Sequence, residues 1–108
     1  MLKRRNRVFA LKNGKKVTIL IEREHDLHID DVAVMSEQIA DELANKYGIE
    51  WSWQDDRLII DHMSARGFLH SQHGKITIQL KLGFAASLFA SSIENSISKR
   101  LDQLLITQ

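Results

Sequence analysis

The chain contains no cysteine and no proline, and its five glycines each stand alone. Lack of cysteine excludes a disulfide framework, a thiol nucleophile and a thiolate metal site. Lack of proline and of glycine clusters leaves no evident linker, low-complexity segment or phosphate-cradling loop. No stretch approaches the roughly 18 apolar residues of a membrane span. The basic start could open a signal peptide, but Lys12 breaks the run before any apolar h-region forms. A cytoplasmic protein is expected.

What is present suits one globular domain. The 108 residues are 44% hydrophobic and 27% charged, and a chain of this size buries roughly two thirds of its unfolded surface. The net charge of +1 conceals an asymmetry. Residues 1–16 carry seven bases and no acid, which leaves eight bases against all 14 acids in the remainder. The chain therefore divides into a basic N-terminal arm and hairpin extension, 1–16, and a single α+β domain, 17–108.

Hydrophobic spacing gives the elements. Asn13-Gly14 suits the positive φ of a hairpin turn. It separates a weak strand, 7–12, from a run in which Val17, Ile19 and Ile21 alternate with more polar neighbours. From 30 to 47 the period becomes helical, with Val32, Met35, Ile39, Leu43 and Tyr47 on one stripe. Asp30 is the expected N-cap and Gly48 the left-handed C-terminal residue. Period two then returns at Ile49, Trp51 and Trp53. Strands follow over 57–62, 67–71 and 75–82, the last with Ile76, Ile78, Leu80 and Leu82 facing inward. A second helix is expected from Ser87 or Ser91 to Ile106, with Ser91 and Glu94 at capping-box spacing. The fold class is α+β: an antiparallel sheet of about five to six strands, packed against two amphipathic helices in two layers.

Chemistry is harder to find. His25 and His28 stand near Glu22 and Glu24, and His62 lies on the apolar face of its strand. These three histidines are the candidate polar site, yet no H-E-x-x-H pattern makes them metal ligands. No G-x-S-x-G elbow accompanies the scattered hydroxyls. The residues thus indicate no catalytic apparatus, metal or cofactor. Lys3, Arg4, Arg5 and Arg7 could contact an anionic surface, but the net acidic body argues against nucleic acid as partner. Phe84, Leu88 and Phe89 are left over. The strand before them and the helix after them already have full apolar faces, so they form a candidate apolar contact.

Several positions carry a family resemblance: Arg23-Glu24-His25-Asp26-Leu27, Tyr47-Gly48, Gly67, Leu82-Gly83-Phe84, Ile93-Glu94 and Leu101-Asp102. Over 17–105 the chain resembles the small bacterial polyhydroxyalkanoic acid system family of granule-region proteins. It departs at Leu88, where the family carries proline, and in residues 1–16. The resemblance implies a non-enzymatic accessory or binding protein of polyester storage, with a granule surface, apolar ligand or granule protein as partner. A general interaction or homodimerisation module is the alternative, and an acyl-group enzyme using His25 or His62 as base is a third reading.

Overall fold

A computed structural model describes the backbone of residues 4–10 and 17–106, and the side chains of 17–105. The elements run β1 (Arg4–Ala10), β2 (Val17–Glu24), α1 (Ile29–Tyr47), β3 (Glu50–Gln54), β4 (Arg57–His62), β5 (Ala65–Gln72), β6 (Lys75–Leu82), α2 (Phe84–Ser87) and α3 (Ala90–Ile106). The Asn13-Gly14 turn lies outside the described residues. Residues 4–10 pair with β2 along their length, Arg4 opposite Arg23 and Ala10 opposite Val17.

The strands form one antiparallel sheet in the order β1-β2-β6-β5-β4-β3. Strands β3 to β6 are a meander of short turns, and β6 returns to pair with β2. Helix α1 carries the chain from β2 to the far edge. It packs over β3, β4 and β5, α3 packs over β2, and the helices touch each other. This is the expected two-layer α+β sandwich.

One face of the sheet supplies the core. Ile19 and Ile21, Leu58 and Ile60, Leu69, and Ile76 and Ile78 are buried beneath Val32, Ile39 and Leu43 of α1 and Ile97 and Leu101 of α3. The opposite face stays polar, with Arg57 stacked on Phe68 at 5.1 Å and His70 bonded to Asp56 at 3.0 Å. Trp51 and Trp53 are half-buried beside the core. Their indole N–H groups donate to Asp41 and Glu37 of α1, at 3.1 and 2.6 Å.

Three expectations need correction. The N-cap of α1 is His28, not Asp30: the His28 ring accepts from the Asp30 N–H at 3.2 Å. Asp30 and Asp31 then occupy the first turn, where their charge suits the helix dipole. Strand β5 begins at Ala65 rather than Gly67. The second helix is broken in two, and neither Ser87 nor Ser91 caps it. Ser87 ends α2 with its hydroxyl donating to the Phe84 carbonyl at 2.6 Å, and Ser91 lies inside α3. The Phe89 carbonyl, which accepts from the Ile93 N–H, opens α3 instead.

Gly67 sits where β5 and β6 come closest. A Cβ there would lie 1.8 Å from the Gln79 carbonyl oxygen, so the strands must move apart to admit any side chain. Gly67→Ala should cost roughly 2–4 kcal/mol in urea unfolding. An unchanged midpoint would disprove this close approach.

Candidate functional site: an apolar cavity with an exposed rim

The two ends of the sandwich differ in chemistry. At one end the core is polar. The cross-strand row Arg23, Ile76 and Ser71 places a guanidinium inside, where Arg23 Nη1 donates to Asp102 Oδ1 of α3 at 2.5 Å. Ser71 Oγ lies 3.1 Å from Ser36 Oγ of α1, which donates to the Val32 carbonyl. An ion pair thus ties α3 to β2, and a hydroxyl pair ties α1 to β5.

The three candidate histidines are not brought together. Each instead closes a local turn by accepting, at Nδ1, the backbone N–H two residues on: Leu27 for His25, Asp30 for His28 and Ser64 for His62. This is the role that Asn and Asp play in Asx-turns. His25 is buried near the β5–β6 turn, where its own N–H donates to the Gly74 carbonyl. Burial pushes its pKa below the usual histidine value, outweighing the opposing pull of the Lys75 and Gln72 backbone. His28 is exposed at the start of α1. His62 lies at the other end of the molecule, next to Ala65 and Leu82. Among the described residues no cluster of three His, Asp or Glu side chains could hold a metal ion.

That other end contains a cavity of about 410 Å³. Ile60, Leu80 and Leu82 floor it, Leu43 and Tyr47 of α1 wall one side, and Ala85, Ala86 and Phe89 close the other. It exists because the α2 segment covers this corner with alanines, and α2 buries none of its residues. His62 and Ser64 lie at its polar margin.

Beside the cavity stands an apolar rim. Phe84, Leu88 and Phe89 are 61%, 77% and 54% exposed. Phe89 also lines the cavity, whereas Phe84 and Leu88 do not. Of the basic candidates, Lys3 lies outside the described residues, and Arg4, Arg5 and Arg7 belong to edge strand β1.

The family described as "Putative polyhydroxyalkanoic acid system protein" matches residues 19–105. The chain belongs to this family. No curated protein and no solved structure matches it. The matched region begins within β2 and leaves β1 outside, while it contains the ion pair, the cavity and the rim. Arg23, His25 and Asp102, which carried the resemblance, all serve the polar end of the core. Each makes contacts within the fold there.

Sequence reasoning missed the Arg23–Asp102 pair, though a signal existed. Arg23 shares the parity of Ile19 and Ile21, so it had to face the core and find an anion there. The cavity had no comparable signal.

His25 gives the stability a pH dependence with a definite sign. Its folded pKa is depressed, so below about pH 6.5 the unfolded chain takes up a proton that the folded ring resists. Its contribution is complete above that value and is lost as pH falls through the window down to the depressed folded pKa. His25→Asn keeps an acceptor for the Leu27 N–H without titrating. Melting temperatures measured between about pH 8 and about pH 5 should fall less steeply for that variant than for wild type. Parallel curves would show that His25 carries none of the dependence.

Proposed function

We propose that this protein is a non-enzymatic binding protein of the polyhydroxyalkanoate system, and that it settles on apolar polyester through Phe84, Leu88 and Phe89. The observation carrying this reading is the rim itself: three large apolar side chains within six residues, all more than half exposed, on and just after a helix with no fully buried residue. Isolated exposed apolar residues are common, but a contiguous group on one segment favours contact with an apolar surface.

The magnitude fits a reversible association. Covering these side chains would remove on the order of 300 Å² from water, or about 7 kcal/mol before association costs. Among the described residues no helix is long and apolar enough to cross a membrane, so attachment through this rim would be peripheral.

Co-sedimentation with isolated polyester granules tests the proposal. Leu88→Asp should lose binding while keeping its melting temperature, because Leu88 lies outside the core. Replacing Arg4, Arg5 and Arg7 together with Gln should change little, and binding should resist salt. Loss on removing the arginines alone would make the contact electrostatic. A dimer formed through the rim, with no sedimentation, would make the chain an interaction module instead.

A further inference from the structure

We propose that the cavity behind the rim binds one aliphatic acyl chain, and that the carboxyl or ester oxygen at its head accepts a hydrogen bond from His62 Nε2. The choice of an acyl chain rests on the polyester reading above. The site itself rests on the cavity and on the state of its polar groups.

The volume sets the size of the occupant. About 410 Å³ corresponds to roughly a dozen water volumes of about 30 Å³ each, and a methylene group takes similar space. A medium-length chain with its head group fills such a volume. The floor is aliphatic, and such a lining with few polar groups is the usual composition of a small-molecule site.

The polar margin sets the head group. Four polar side chains border the cavity: Lys46, Tyr47, His62 and Ser64. Lys46 Nζ is shared between Glu42 and Ser96, and the Tyr47 hydroxyl pairs with Ser92. His62 differs. Its Nδ1 accepts the Ser64 N–H at 3.0 Å, so the neutral ring must carry its proton at Nε2. Nε2 has no hydrogen-bond partner among the described residues, and neither has the Ser64 hydroxyl. Two donors therefore remain at the edge of an otherwise apolar space. An oxygen acceptor on an aliphatic chain satisfies both demands, and hydroxyalkanoic acids, named in the family description, have that form.

The route in adjoins the rim. Ala85 and Ala86 line the cavity from a four-residue helix with no fully buried side chain. A single chain could enter there while Phe84 and Leu88 remain on the outer surface.

Calorimetric titration of the full chain with octanoate, β-hydroxyoctanoate and its methyl ester tests the proposal. Saturable binding of one molecule per chain is expected. Ala86→Trp should abolish it by filling the cavity, and His62→Phe should weaken acid and ester alike by roughly tenfold or more. Leu88→Asp should leave it unchanged, which separates this site from granule contact: either can fail while the other holds. Methyl NMR shifts of Ile60, Leu80 and Leu82 in the wild-type chain provide a second reading that needs no variant to fold. No saturable binding, undiminished binding to Ala86→Trp or His62→Phe, or shifts confined to other methyls would each overturn the proposal.

Discussion

Strands β2 to β6 present one largely apolar face, and helices of 19 and 17 residues must keep water from it. Five inter-strand spacings of about 4.8 Å make the sheet roughly 24 Å wide, while two helices at about 10 Å each cover nearly that width. The fit is close, so the placement of the helices matters. Helix α1 lies over β3 to β5 and α3 over β2. The Arg23–Asp102 ion pair and the Ser36–Ser71 contact fix those positions at one end. At the other end the described side-chain bonds between elements are surface ones, Lys46 to Ser96 and Tyr47 to Ser92 joining the two helices and Trp51 to Asp41 joining β3 to α1. There the chain leaves β6, makes one turn of helix at α2 and only then starts α3, and the corner beneath it is not filled.

This division assigns different work to the two ends. A buried guanidinium is costly to desolvate, so Arg23 depends on the polar groups around it, Asp102 among them. The polar end is therefore rigid in composition and intolerant of change. The cavity end is built from alanine, leucine, isoleucine and phenylalanine, with Lys46, Tyr47, His62 and Ser64 at its margin. Such a lining suits an apolar ligand, its one charged member, Lys46, being engaged with Glu42 and Ser96. The residues that mark the family fall at both ends, Arg23, His25 and Asp102 at the first and Tyr47, Leu82 and Ile93 around the cavity.

Most of the fold was legible in the sequence, because the relevant signals are periodic. The stripe Val32, Met35, Ile39 and Leu43 could only be a helix over a core, and the alternation from Lys75 to Leu82 only a half-buried strand. Cap positions were less legible. Asp30 is the better capping residue by propensity, but the His28 ring reaches the Asp30 N–H first and moves the helix start. The break at Leu88 and Phe89 could not be read from spacing, since neither residue opposes helix by propensity. It follows from the Ser87 hydroxyl engaging the Phe84 carbonyl and from Phe89 opening a new helix. The apolar surplus at Phe84, Leu88 and Phe89 was visible as residues left without a face. The cavity was not visible, because empty space arises from the distance between residues remote in sequence, such as Leu43, Leu82 and Ala86.

The central claim is that segment 84–89, held by little of the core, is where this protein meets apolar matter. Backbone hydrogen exchange with and without polyester particles addresses it most directly, because it locates contact without altering the chain. In the absence of particles these amides should exchange quickly, having few protecting bonds and no buried side chains. The account predicts that particles slow exchange over 84–90 and leave β1 and the outer sheet face as they were. Protection of β1 or the outer face, with 84–90 unchanged, would contradict it.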